Sequence, residues 1–394
     1  MRIPILLFSI TILFCFLIDF YIFKATKNRC KSKVPSRIQL WSALALYLLL
    51  LAGTLTPMRT GNSGVLIIKM WLLFSYFTTF IPKAIFVLFD ILASAPKLIH
   101  KKRWSFISII GGITAVTTFC MMWWGALINR LDVNVNPVTV EIQNLPAAFE
   151  EYRIVQISDL HVGSYADDDY INRLVAYINK LNPDLIVFTG DIINRKTDEL
   201  NPFIKSLSNL SAGDGVVSIL GNHDYGDYYN WESDFAKEQS LRKMIDTQRE
   251  MGWNLLLNEH IMLHHGSDSI AIIGVENVGD PPFKIYGDLN ASYPDLSDDV
   301  VKILLSHNPV HWENEIANND SINIALTLSG HTHAMQTELF GLSPASIRYE
   351  KWGGIYEDDS KQHKLYVNIG IGTVAFPMRL GATPEVTLFT LTRQ

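Results

Sequence analysis

The sequence predicts an α/β four-layer sandwich, two mixed β-sheets flanked by helices, preceded by an N-terminal four-helix transmembrane region. Three observations predict it. Charge divides the chain: residues 1–129 hold 14 Lys/Arg against 2 Asp/Glu, and residues 130–394 hold 19 against 37. Hydropathy divides it at the same place, since the long apolar stretches all lie before Asn129. Beyond that point, short apolar runs first alternate with helical patterns and then with further runs, the order of an α/β layer architecture. This reading gives a membrane region, 1–129, and an acidic domain, 130–394, of a size usual for one domain.

A helix needs about 20 mainly apolar residues to cross the hydrocarbon core. Four stretches qualify, near 4–23, 38–56, 71–92 and 104–128. The first competes with a secretory signal, but its basic residues (Lys24, Lys27, Arg29, Lys31, Lys33) follow the apolar run, as for a retained helix. Pro82, Lys83 and Asp90 interrupt the third, for which a re-entrant or interfacial segment is the alternative. Their charges read as paired or snorkelling, and no transport role is assigned to them. The fourth stretch, Trp104–Ile128, is the longest. Basic residues crowd the first and third loops, and the second, Pro57–Gly64, carries only Arg59. Loops one and three are therefore expected in the cytoplasm. Four crossings make this a multi-pass cell-membrane protein whose catalytic domain is extracytoplasmic; three crossings would reverse that.

Cys15, Cys30 and Cys120 all fall in the membrane region, so the acidic domain has neither a disulfide nor a thiolate ligand. Its first strand is expected within Leu131–Ile142, where Val133, Val135, Val138, Val140 and Ile142 alternate in part. Tyr152–Ser158 and Asp184–Phe188 follow as buried strands. Apolar residues at 171, 174, 175 and 178 mark a helix between them. Asp167–Asp169 read as its cap. A short helix at Phe203–Leu210, a strand at Val216–Leu220 and a helix at Phe235–Met251 come next. Ile261–Leu263 and Ser269–Ile273 read as antiparallel strands. Val300–Leu305, Ile322–Leu328, Leu365–Asn368 and Val386–Thr390 complete the sheets.

Five of these apolar runs end in polar clusters: Asp159-Leu160-His161, Gly190-Asp191, Gly221-Asn222-His223-Asp224, Ser306-His307 and Gly330-His331-Thr332-His333. Sites in open α/β sheets form beyond the carboxyl ends of strands, so folding can gather all five on one rim. Asp159 and His161 have one residue between them, as do His331 and His333, and an extended segment aims such pairs the same way. Asp191 can bridge two ions with its two oxygens. Asn222 offers a carbonyl oxygen and His307 another imidazole. These seven ligands, without sulfur, suit two divalent ions of Mn, Fe or Zn. Ions about 3.5–4 Å apart would share a hydroxide nucleophile and clamp an in-line displacement. His223 would face the substrate as proton donor, with Asp224 orienting its ring.

On these motifs, which cover roughly 150–390 in the right order, the sequence resembles the calcineurin-like metallophosphoesterase superfamily. The helical N-terminus, Val155–His161 and the closing Asn368-Ile369-Gly370-Ile371-Gly372-Thr373 look like its membrane-anchored bacterial branch. The resemblance implies one metal on Asp159, His161, Asp191 and His333, and the other on Asp191, Asn222, His307 and His331. It implies that His223 donates the proton. Small glycines often follow the last histidine motif in that branch; here Ala334-Met335 stand there, which bears on the pocket's shape and not on the metals.

Arg379 is a candidate contact for a substrate phosphate. Tyr225, Tyr228, Tyr229 and Trp231 either cap the site or pack a loop, with packing favoured. His100, His260, His264, His265, His311 and His363 have no such context. The expected activity is two-metal hydrolysis of a phosphate ester at the membrane surface, on a lipid-linked phosphate or pyrophosphate. Nucleic acid is an unsuitable partner for a domain with 18 more acidic than basic residues. The rivals are a phosphodiesterase acting on nucleotides, a membrane scaffold or sensor with a degenerate phosphoesterase fold, and a transporter.

Overall fold

A computed structural model describes residues 5–57, 62–280, 284–293 and 299–394, with side chains from Ile10 onward. Pro4 and Arg59, used above in reading the membrane region, lie outside the described residues. The chain forms two compact units, one of Met1–Met58 and Ile68–Ala126, the other of Arg59–Ile67 and Leu127–Gln394.

Among the described residues the first unit is made of four helices, of which Ser63–Ile67 and Leu127 are assigned to the second: α1 (Ile5–Arg29), α2 (Val34–Leu55), α3 (Ser63–Ser94) and α4 (Ser105–Leu127). Among the described residues, Val34–Leu55, Ser63–Ile99 and Ser105–Leu131 are long and apolar enough to cross a membrane. Helix α3, not α4, is the longest, at 32 residues. It continues through Pro82, which the bundle buries. The re-entrant alternative therefore does not describe α3. Its charges are paired: Lys83 Nζ lies 2.8 Å from Asp19 Oδ1. Fully buried Asp90 is bonded by Arg29 (2.8 Å), Tyr21 (2.7 Å), Ser108 (2.8 Å) and Arg103. These bonds tie α1 and α4 to α3 where apolar packing alone would leave register free.

Among the described residues the second unit contains twelve strands: β1 (Asn134–Ile142), β2 (Arg153–Ile157), β3 (Leu185–Phe188), β4 (Val216–Ser218), β5 (Trp253–Leu255), β6 (Glu259–His265), β7 (Asp268–Gly274), β8 (Lys302–Leu305), β9 (Leu326–Ser329), β10 (Gly354–Glu357), β11 (Lys364–Val367) and β12 (Glu385–Arg393). Two mixed six-stranded sheets result, ordered β1-β12-β2-β3-β4-β5 and β10-β11-β9-β8-β7-β6. The predicted pair β6 and β7 is antiparallel, from Glu259↔Gly274 to His265↔Asp268. Strands β5 and β10 were not expected; each is only three or four residues long.

Alternation along the strands sorts side chains into layers. Ile154, Leu185, Val187 and Val217 of one sheet pack against Ile272, Ile303, Leu305 and Leu328 of the other. On the outer face, Val155, Ile157, Ile186 and Phe188 meet α5 (Asp169–Asn179) through Ile171, Leu174, Val175 and Ile178. Leu207 of α6 (Ile204–Leu207) and Met244 of α7 (Asp234–Glu250) join the same cluster. The second sheet covers Ile273, Leu304 and Leu365 with Trp312 and Ile316. The result is helix, sheet, sheet and helix, as the sequence predicts. Strands β2, β3 and β4 run parallel in one sheet, and β7, β8 and β9 in the other.

Candidate metal centre

The polar clusters follow β2, β3, β4, β8 and β9, and the structure brings them together. Among the described residues three groups form, Asp159-His161-His333, Asp191-His307-His331 and, sharing residues with both, His161-Asp191-His223, and within each the ligand atoms lie within 4.8 Å of one another. Asp191 Oδ2 stands between the groups, 3.6 Å from His161 Nε2 and 3.3 Å from His307 Nε2. Asn222 Oδ1 joins the second group, 2.8 Å from His331 Nδ1 and 3.1 Å from His307 Nε2.

The backbone is forced to make this arrangement. Asp159, His161, Asp191, His331 and His333 all have positive φ, between 45° and 76°. Each such residue costs on the order of 1–3 kcal/mol, strain that concentrates at functional sites. Ala334 and Met335 also take positive φ, 49° and 45°. Here non-glycine residues adopt the conformation for which glycine is suited. Gly330 is required for close approach: a Cβ there would lie 2.0 Å from Ser158 Oγ and 2.4 Å from Asp159 Oδ2. Gly221 serves the same purpose, since its Cβ would lie 2.2 Å from Asp191 Oδ1. Gly330→Ala is expected to push Asp159 aside and weaken metal retention, read as metal bound per chain after dialysis.

Hydrogen bonds fix which ring nitrogens face inward. His161 Nδ1 bonds the Ile193 carbonyl at 3.0 Å, and His307 Nδ1 bonds that of Thr189 at 2.7 Å. Both rings therefore turn Nε2 to the cluster, the arrangement that backbone carbonyls impose on ligand histidines. Asp159 Oδ2 accepts from Ser158 Oγ and the His331 N–H. Its Oδ1 is buried, accepts no hydrogen bond, and lies 3.1 Å from His333 Nε2.

Electrostatics point the same way. Burial opposes ionisation of Asp159 and Asp191, yet their histidine neighbours hold both carboxyls below the usual carboxylate range. Burial, with His307 nearby, brings His331 down to about 3, and burial with His223 nearby lowers His161 well below its ordinary value. His307 rises to about 9: burial opposes this, but Asp191 and Asp159 outweigh it. Two buried carboxylates facing imidazole nitrogens form a site that cations would neutralise. Oxygen and nitrogen donors without sulfur suit Mn, Fe or Zn without selecting one. The groups are thus consistent with a binuclear metal site.

His223 borders the cluster, its ring centroid 4.7 Å from that of His161. Its Nδ1 lies 2.6 Å from the Asn194 carbonyl, and Tyr228 stacks on the ring at 4.1 Å. Asp224 does not orient this ring, contrary to expectation. Its carboxylate instead accepts from the N–H groups of Asp191, Ile192, Ile193 and Gly221, at 2.8–3.3 Å. Burial and Asp191 push it up to about 7, against those donors. Asp224 thus braces the β3 and β4 loops against each other.

Arg379 also departs from expectation. It is fully buried, and its guanidinium donates to the carbonyls of Gly372, Ala382 and Ile369 and to His333 Nδ1. It stands behind His333 and not in reach of a substrate. Arg379→Met would leave these carbonyls without their donors, at a cost of about 2–5 kcal/mol. A lowered denaturation midpoint would check it.

Of the aromatic segment, Tyr225 packs on Tyr286, and Tyr229 on Trp231. Tyr228 alone reaches the site, also accepting from Asn222 Nδ2 at 2.9 Å. Sequence reasoning missed Tyr349, whose hydroxyl lies 3.0 Å from His331 Nε2, and the Asn194 carbonyl. The closing glycines have a clear function: Ile371 and Gly372 donate to the Ser158 and Asp159 carbonyls. A Cβ on Gly372 would lie 2.2 Å from the Leu160 carbonyl oxygen.

Two family models match the chain, calcineurin-like phosphoesterase over residues 152–335 and the transmembrane domain of a probable calcineurin-like phosphoesterase over 1–130. The chain is 32% identical to the metallophosphoesterase YkuE of Bacillus subtilis over 261 residues, 64% of this chain and 83% of that one. It is 28% identical to the bovine (Bos taurus) transmembrane protein with metallophosphoesterase domain over 257 residues, 64% of this chain and 56% of that one. It is 26% identical to the UDP-2,3-diacylglucosamine pyrophosphatase LpxG of Chlamydia trachomatis over 333 residues, 72% of this chain and 97% of that one.

Proposed function

The chain belongs to the calcineurin-like metallophosphoesterases with an N-terminal transmembrane domain, and from that premise we propose that its substrate is a lipid-linked phosphate or pyrophosphate, hydrolysed at the membrane surface. It is a metal-dependent phosphoric ester hydrolase held in the membrane by several N-terminal helices. One observation carries the substrate reading: a complete His/Asp cluster in the same chain as that membrane domain. The similarity to a protein named as a diacylglucosamine pyrophosphatase supports it. So does the acidic domain, which would repel a nucleic acid. A degenerate scaffold is disfavoured, since such a protein has no use for strained ligands.

In this reading one ion is held by Asp159, His161, Asp191 and His333, the other by Asp191, Asn222, His307 and His331. Bound there, divalent ions would supply Lewis acidity toward the phosphoryl group and activate water at neutral pH. The protein's own side chains do the rest. His223, with Nδ1 on the Asn194 carbonyl, presents Nε2 toward the leaving-group oxygen and protonates it. Tyr228 holds the ring in that orientation by stacking.

The substrate is tested with the full chain in nanodiscs. Efficiency is compared on a long-chain lipid phosphate, a lipid-linked pyrophosphate, a nucleotide phosphodiester and p-nitrophenyl phosphate. The lipid-linked compounds are expected to lead; preference for the nucleotide would overturn the assignment. The extracytoplasmic placement is part of the proposal and is read by fusions at Gln394. Alkaline phosphatase should be active there, and green fluorescence without phosphatase activity would refute that placement.

A further inference from the structure

Nine large apolar side chains stand exposed among the described residues after Asn129, and six of them fall between Met335 and Ile355. Tyr177, Phe235 and Ile285 are isolated, as is ordinary for a soluble surface. The six are Met335, Leu339, Phe340, Leu342, Ile347 and Ile355, and they follow directly on His331 and His333. We propose that this segment is a second membrane contact: the hairpin around Phe340, with Ile347 beside it, inserts into the acyl region of the bilayer next to the metal centre.

The hairpin is built to hold these residues out. Leu339 and Leu342 pair antiparallel, with N–H···O distances of 2.9 and 3.1 Å. Phe340 and Gly341 turn the chain with φ of 57° and 77°. A two-residue turn with both φ positive favours Asn-Gly or Gly-Gly. Here a phenylalanine stands in the first position, fully exposed at 102%, with Leu342 at 74% and Ile347 at 90%. The frame beneath is tied down on both sides. The Glu338 N–H donates to the Leu380 carbonyl, and Ser343 Oγ donates to that of Ala334. Tyr349, past Ile347, reaches His331. The exposure is therefore fixed by the fold and not a slack loop.

Exposed large apolar side chains concentrated in one segment mark a binding surface. The occupant follows from the rest of the chain. The N-terminal transmembrane domain keeps a bilayer within reach of this domain at all times, at an effective concentration no soluble partner matches. Half-buried Tyr349 and Trp352, with Arg348 and Lys351, follow the apolar residues in sequence. Aromatic and basic side chains are the types that settle at headgroup level. A docked hairpin would bring the His331–His333 end of the metal centre to the lipid surface. The contact does not depend on which ester is cleaved.

The test uses the full chain in nanodiscs of phosphatidylcholine and phosphatidylglycerol, with Cys15, Cys30 and Cys120 replaced by serine. A nitroxide is placed in turn through Phe340→Cys, Leu342→Cys, Ile347→Cys and, as a control on α5, Tyr177→Cys. All four side chains are exposed, so the changes remove no core packing. Collision with oxygen relative to a water-soluble nickel chelate should rise several-fold at 340 and 342 above its value at 177. Equal ratios at all positions would overturn the proposal. Dipolar broadening between labels would overturn it too, by showing a second copy as the occupant.

Discussion

Asp191→Asn removes metal and turnover together. One oxygen of Asp191 stands between the two histidine groups, and the other accepts the His223 N–H at 2.8 Å. The substitution keeps the shape and deletes the charge that both ions would share. Turnover of bis-p-nitrophenyl phosphate should fall on the order of 10³-fold, the scale of losing a main electrostatic contact in a water-poor site. Metal bound per chain, measured after dialysis, should fall in parallel. Full metal content with low turnover would assign Asp191 to substrate chemistry instead.

His223→Ala separates the two quantities. His223 lies within ligand distance of His161 and Asp191, but the proposed ligand sets leave it to the substrate, so its loss should leave metal content unchanged. Turnover should fall about 10²–10⁴-fold, the range for a positioned general acid. The leaving group provides a sharper reading. A p-nitrophenolate leaves with little help from a proton, whereas an alkoxide needs it. The loss should therefore be larger for an alkyl ester than for p-nitrophenyl phosphate. An equal loss on both would remove His223 from the role of proton donor.

Much of this site is legible in the sequence because each cluster ends an apolar run, and parallel strands deliver their ends to one rim. Asp159, His161, Asp191, Asn222, His307, His331 and His333 could be picked out for that reason. Roles set by three-dimensional neighbours are not legible in the same way. Asp224 comes after His223 in sequence, and adjacency invites the reading that it steers the ring. The fold instead turns its carboxylate to four backbone N–H groups, and a backbone carbonyl, Asn194, takes the ring. No side-chain pattern announces a carbonyl. Arg379 has the chemistry of a phosphate ligand, but its burial depends on the Gly370–Gly372 loop folding over it. Tyr349 comes 18 residues after its partner His331, in a segment without periodicity. Strands β5 and β10 were too short to show alternation. In the membrane region, Pro82 interrupted the pattern of α3 without interrupting the helix.

The central claim is that two ions held by this cluster drive ester hydrolysis. It is tested most directly by stripping the purified full chain of metal and titrating Mn, Fe or Zn back. Turnover of bis-p-nitrophenyl phosphate should be absent in the stripped protein and should saturate at two ions bound per chain. Hydrolysis that survives stripping, or no turnover of any ester with two ions bound, would contradict it.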